Sequence, residues 1–171
     1  MRKSALQVAR AAYQPKMPKA LYGSVKIEEG TATQSVADQD EVKKLFPNTY
    51  GMPILKFVEA SEKANLSALN VGVILSGGQA PGGHNVIAGI FDGIKNINAD
   101  SKLYGFLMGP GGLIDHQYME LTAEIMDEYR NTGGFDIIGS GRTKLETHAQ
   151  FDKGLEILKK LDIKALIIIG G

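Results

Sequence analysis

The sequence contains no cysteine, no tryptophan and no surplus of charge of either sign. Without cysteine there is neither a disulfide framework nor a thiolate metal site, which fits a reducing cytoplasmic compartment. Lys+Arg 19 against Asp+Glu 19 leaves a net charge of zero. No global field therefore steers the chain to nucleic acid or to a membrane surface, and an anionic ligand must be met by local groups. No apolar run approaches the roughly 20 residues that a membrane helix needs. Acidic residues are missing from the first 27 positions. There Arg2, Lys3, Arg10, Lys16, Lys19 and Lys26 sit among small and apolar residues, as in an organelle transit peptide. Serine is sparse, however, and Tyr13-Gln14-Pro15-Lys16-Met17-Pro18 reads as structured chain. What remains, 171 residues of which 43% are hydrophobic, suits one α/β domain with a core of its own.

The chain is organised around residues 71–85. Val71, Val73, Ile74 and Leu75 read as a buried strand, being too short and too β-branched a run for a helix. Four glycines, Gly77, Gly78, Gly82 and Gly83, follow around Pro81. Val86, Ile87, Ile90, Phe91, Ile94 and Ile97 then recur at helical spacing. Strand, glycine turn and helix aim free backbone N–H groups at an anion, aided by the positive end of the helix dipole. No Gly-Lys-Ser/Thr follows, so this is not a P-loop. The glycine spacing also departs from G-x-G-x-x-G, and a dinucleotide fold wants an acidic residue where Met108-Gly109 closes the second strand.

Before residue 71 the signals are weaker. Residues 4–13 suit a helix stopped by Pro15, 21–27 a strand and 30–37 a polar loop. Asp38-Gln39-Asp40-Glu41 suits a capping box for a helix ended by Pro47, 53–60 a second strand and 62–70 a polar connector. No catalytic constellation is legible in residues 1–70, which read as an amino-terminal extension. After it, 102–108 is a second apolar strand entering Gly109-Pro110-Gly111-Gly112, which suits a sharply turning loop at a sheet edge more than a second phosphate cradle. Thr122 is placed to cap a helix over 123–131, and Thr147-His148-Ala149-Gln150 forms a capping box for a helix whose buried stripe is Phe151, Leu155, Leu158 and Leu161. Residues 163–169 form a fully buried strand by composition. Gly139-Ser140-Gly141-Arg142-Thr143-Lys144 brings two cations out of a small-residue loop: a guanidinium fork that grips two phosphate oxygens, and a compact ammonium. By spacing alone, a solvated loop explains it equally well. The three histidines, His84, His116 and His148, are too scattered for a metal site. His84 is placed to donate to a bound phosphate, His116 to sit in a loop and His148 to start a helix.

Ser76-Gly77-Gly78-Gln79-Ala80-Pro81-Gly82-Gly83-His84-Asn85 resembles the first phosphate loop of the phosphofructokinases, in the wording of their pyrophosphate-dependent branch. ATP-dependent relatives read Ser-Gly-Gly-Asp-Ala-Pro-Gly there, and Gln79 and His84 lean away from them. The resemblance covers about 71–171, and Ser4-Ala5-Leu6-Gln7 and Leu45-Phe46-Pro47-Asn48-Thr49-Tyr50-Gly51 are similar to the long members. It implies a three-layer Rossmann-like α/β fold with a parallel sheet over 71–171, preceded by the extension over 1–70. The implied activity is reversible, Mg²⁺-dependent phosphoryl transfer from pyrophosphate to fructose 6-phosphate, in a cytoplasmic homo-oligomer. Gly77, Gly78, Arg142 and Lys144 would bind the diphosphate, and Arg142 would also neutralise the transferring group. The magnesium-binding Asp, the residue that separates donors and the Asp base would all follow Gly171, so the amino-terminal portion alone should be inactive. An ATP-dependent phosphofructokinase and a non-catalytic regulatory subunit of the same family are the alternatives.

Overall fold

The computed structural model describes residues 3–18, 23–62 and 66–171. Its contacts divide the chain into two compact units, residues 1–14 with 66–171 and residues 15–65. The helix α1 (Ala5–Ala12) thus belongs to the larger unit, whereas the sequence reading groups everything before residue 71 together. Its start carries a capping box that the hydrophobic pattern did not show: the Ser4 side chain accepts from the Gln7 N–H while Gln7 reaches back to the Ser4 N–H.

The smaller unit holds β1 (Val25–Ala32), α2 (Gln39–Leu45) and β2 (Pro53–Glu59), the two strands forming an antiparallel pair. Residues 30–32, expected in a loop, extend the first strand, and Thr33 continues the pairing by donating to the Met52 carbonyl. Residues 21–22 of the expected 21–27 strand, and 63–65 of the expected connector, lie outside the described residues. Asp38 stands at the N-cap of α2 but makes no side-chain capping bond. Its φ of 51° is left-handed, whereas a capping side chain works from the extended region.

In the larger unit, β3 (Asn70–Ser76) pairs in parallel with both β4 (Lys102–Phe106) and β6 (Ile163–Gly170). A short strand, β5 (Tyr118–Glu120), adds antiparallel to β4, giving the order β5-β4-β3-β6. Three residues are too few to carry a period, so β5 was not legible. Side-chain alternation along β3 generates two cores. Val71, Val73 and Leu75 pack with Ile87, Phe91 and Ile94 of α3 (Gly83–Ile97), with Leu103 and with Met126 of α5 (Ala123–Tyr129). Ile74 faces the other way, onto Phe106, Leu113 of α4 (Pro110–Ile114) and Ile157 of α6 (His148–Lys160). Helices therefore cover both faces of the sheet, as a parallel sheet requires.

Two local expectations change. Thr122 occupies the N-cap of α5 without a side-chain capping bond, while Thr147 and Gln150 do form their reciprocal box. The α6 stripe is rotated: Gly154 and Ile157 are buried, Leu158 and Leu161 half-buried, and Phe151 and Leu155 remain 51% and 48% exposed. A Cβ on Gly154 would stand 3.2 Å from a Leu113 methyl, so the absence of a side chain there lets α4 approach along that line. Strand β6 stands at the edge of the sheet that these residues form, with Ile168 59% exposed. Ile163 and Leu166 pack into one core and Ala165, Ile167 and Ile169 into the other.

Among the described residues, no helix is long and apolar enough to cross a membrane. Ile157→Ala should cost about 2–5 kcal/mol of unfolding free energy, as truncation of a fully buried Ile does. Phe151→Ala, half-exposed, should cost less than about 1 kcal/mol. Urea unfolding midpoints of the two variants check this, and equal losses would restore the original stripe.

Candidate functional site

Strand β3 ends at Ser76, and Gly77 turns the chain with φ 90°. The Gly77 N–H donates to the Gly141 carbonyl at 2.8 Å, and the Gly141 N–H donates back to the Leu75 carbonyl at 3.4 Å. Residue 141 thereby forms a parallel bridge with Ser76. On its other side the same segment meets the loop after β4, where the Met108 N–H donates to the Ile138 carbonyl at 2.8 Å. The approach is close enough that a Cβ on Gly141 would lie 2.1 Å from the Met108 carbonyl oxygen. Glycine at 141 is thus a requirement of backbone against backbone.

This docking carries Arg142 to the glycine loop that follows β3. Its Nη2 stands 2.9 Å from the point where a Cβ on Gly78 would be, so the guanidinium lies directly over that glycine. The Gly78 N–H has no acceptor among the described residues. The Gly77 N–H, expected to face a ligand, is already donated to Gly141. Arg142 and Lys144 are both exposed, and neither is paired with a carboxylate among the described residues. The Lys144 carbonyl accepts from Gln150 Nε2 at 3.3 Å, and no contact joins the Lys144 side chain to Gly78. Gly78 and Arg142 are therefore together, while Gly77 and Lys144 flank them in sequence.

The start of α3 differs from an open anion-binding terminus. The Gly82 and His84 N–H groups donate to the Gly133 and Gly134 carbonyls at 2.8 and 2.9 Å. His84, expected to reach a phosphate, is 2% exposed and points into the core. Its Nε2 accepts from the backbone N–H of Asp136 and Ile137 at 2.9 and 3.0 Å, and its Nδ1 meets Thr132 Oγ1 at 2.6 Å. His116 bonds the Lys153 carbonyl from a loop, and His148 begins α6.

Among the described residues, no group of three or more His, Asp or Glu could hold a metal ion. The groups gathered at Gly78 are hydrogen-bond donors and a cation, which suit an anion and not Mg²⁺. Elsewhere in the larger unit, a cavity of about 450 Å³ is lined by Lys3, Ala11, Gln14, Asp92, Asp127 and Arg130. Arg130 there is satisfied by both Asp92 oxygens, at 2.6 and 2.9 Å. That pairing, rather than a ligand, holds its pKa up, with Asp127 adding to it.

The family model described as "Phosphofructokinase" matches residues 70–171. The chain belongs to the phosphofructokinase family. It is 65% identical, over all of its length, to the pyrophosphate–fructose 6-phosphate 1-phosphotransferase of Porphyromonas gingivalis. It is 47% identical over 98% of its length to the protein of that name from Treponema pallidum. The chain spans 31% of the length of each of these relatives. A solved pyrophosphate-dependent phosphofructokinase from Marinobacter aquaeolei is 20% identical over 60% of this chain and 26% of that one, with a TM-score of 0.49.

In this phosphofructokinase chain, two features went unread in the sequence. Asn131 Nδ2 donates to the Arg10 and Tyr13 carbonyls at 2.8 and 3.0 Å and so closes the end of α1. The Thr132–His84–Asp136 contact set joins positions far apart in the chain, for which spacing gives no signal. Two substitutions separate architecture from binding. Gly141→Ala should cost about 1–3 kcal/mol of stability, because backbone atoms must move to admit the methyl group. Gly78→Ala displaces only the flexible tip of Arg142, so stability should change by less than about 1 kcal/mol while affinity for inorganic pyrophosphate falls. Thermal melts and calorimetric titrations of both variants measure this. Undiminished anion affinity in Gly78→Ala would count against the site.

Proposed function

We propose that the protein containing this chain transfers a phosphoryl group from pyrophosphate to the 1-hydroxyl of fructose 6-phosphate, reversibly and with Mg²⁺. In this reading residues 1–70 are an amino-terminal extension, and 71–171 are the first part of a larger phosphofructokinase α/β domain. The working form is a cytoplasmic homo-oligomer. The observation that carries the reading is the seat of the Arg142 guanidinium over Gly78 at the carboxyl end of β3, where ligands of open parallel sheets bind. The names of the relatives, and the Gln79 and Gly83-His84-Asn85 wording of the loop, support pyrophosphate as donor.

Phosphoryl transfer asks for positioning and charge neutralisation far more than for covalent chemistry by the protein. The Gly78 N–H supplies a directed donor to a phosphoryl oxygen, with Gly77 as the turn that exposes it. Arg142 supplies a fork that meets the negative charge on the transferring group, and Lys144 adds an unpaired ammonium beyond it. Bound Mg²⁺ neutralises diphosphate charge, but neither its ligands nor the proton acceptor for the sugar hydroxyl is assigned within the described residues.

Arg142→Ala in the full-length enzyme should lower kcat about 10²–10³-fold, the usual cost of losing one such donor, with a smaller change in KM for fructose 6-phosphate. The parent should turn over with pyrophosphate and scarcely with ATP. Steady-state assays with both donors check each point. A clear ATP preference overturns the donor assignment, and activity within a few-fold in Arg142→Ala removes that residue from the site.

A further inference from the structure

His84 holds the centre of a network that no motif announces. It leaves the first turn of α3 and is buried at 2% exposure, yet every polar atom of the ring has a partner. Two backbone N–H groups, of Asp136 and Ile137, converge on Nε2. A nitrogen that accepts two hydrogen bonds carries no proton, so the proton sits on Nδ1 and is donated to Thr132 Oγ1 at 2.6 Å. That hydroxyl in turn donates to the Tyr129 carbonyl at 2.6 Å, which completes the chain without an unsatisfied group. The ring also stands edge-on to Tyr129, with centroids 4.9 Å apart.

The titratable groups facing the ring are Asp136 and Tyr129. Asp136 Oδ1 lies 3.0 Å from Nε2 and would favour a protonated ring, but its side chain is 76% exposed, where solvent screens it. Burial works the other way and is the larger effect, so the His84 pKa is lowered from the usual 6.5. Protonation would set an Nε2–H against two backbone N–H donors.

What the ring holds is the approach to Arg142. The segment anchored at Asp136 and Ile137 runs on through Ile138, which accepts from Met108, and Gly141, which pairs with Gly77. The other end of the latch is the helix that begins immediately after the phosphate-type loop. We infer that neutral His84 is a positioning residue for the anion site: it fixes the loop at 77–83 and the segment at 136–142 against each other, so that Arg142 lies over Gly78. Acidification through its titration then releases the clamp and weakens catalysis without touching any group that contacts the ligand. The catalytic half of this inference rests on the proposed function; the protonation half does not.

Stability follows in sign. A histidine whose folded pKa is depressed takes up its proton more readily in the unfolded chain, so its contribution is complete above 6.5 and is lost as pH falls through the lowered folded value. Glutamine can place its carbonyl oxygen near the Nε2 position, accepts two N–H bonds and does not titrate. Leucine fills the space and leaves both N–H groups unpaired.

The test compares the full-length parent, His84→Gln and His84→Leu with pyrophosphate and fructose 6-phosphate, from neutral pH down through 6.5. His84→Leu should lose about 10²-fold in kcat at neutral pH, the order of loss expected when a reacting group is misplaced by roughly 1 Å, with less change in KM. His84→Gln should recover most of that loss and should lack the His84-dependent part of the acid limb; the shared ionisation of the substrates cancels in this comparison. Side-chain ¹⁵N spectra, with the His84 signal identified by its absence from His84→Gln, should show the Nδ1–H tautomer at neutral pH. Full parental kcat in His84→Leu, an unchanged acid limb in His84→Gln, or an Nε2–H or cationic ring at neutral pH each overturns the inference. If the parent fails to use pyrophosphate, the proposed function falls, and the nitrogen spectra still decide whether His84 is the neutral acceptor described.

Discussion

The larger unit depends on one backbone interlock: the segment at 137–141 inserted between the ends of β3 and β4. Its hydrogen bonds to Gly77, Leu75 and Met108 continue the sheet past the point where the strands proper end. The loops must approach backbone to backbone, and the 2.1 Å spacing that a Cβ on Gly141 would have from the Met108 oxygen shows how little room remains. The ladder is held by the Gly77, Gly141 and Met108 N–H groups, each with a backbone carbonyl as acceptor. Arg142, one residue beyond, starts from a fixed point although its own side chain is exposed.

The same economy governs the start of α3. A free helix N-terminus offers an anion several N–H groups and a partial positive charge. Here the carbonyls of Gly133 and Gly134 take two of the relevant donors, and His84 lies in the core instead of at the mouth. The donors left without a partner near this turn are the Gly78 N–H and the unpaired cations, where the proposed anion site lies. That matches a chain whose net charge is zero, where the field at the site has to be local.

The two faces of the sheet show how packing choices select among sequence patterns. On one face, β-branched residues of β3 at alternate positions meet the Ile87–Phe91–Ile94 stripe of α3, and pattern and packing agree. On the other, α6 offers a stripe of large apolar residues and a second line through Gly154 and Ile157. Gly154 and Ile157 are buried there with Leu158 and Leu161 packed beside them, and a Cβ on Gly154 would stand 3.2 Å from Leu113. Burial is set by how near two backbones can come, and the smallest side chain decides that distance.

Much of the architecture was legible in the order of residues. The three parallel strands, the capping box at Thr147 and the glycine loop followed by a helix all rest on local periodicity or on side chains acting within a few residues. The family was legible from the wording at 76–85 and 139–144, which the match over 70–171 bears out. Tertiary structure alone decided that Asp38 does not cap, that the Gly77 N–H is donated to Gly141, and that His84 is a buried acceptor. Each of these turns on a partner distant in sequence or on a backbone angle that neighbouring residues do not dictate. Periodicity reports which face of an element is apolar; which atoms fill the space opposite that face is determined only when the elements pack.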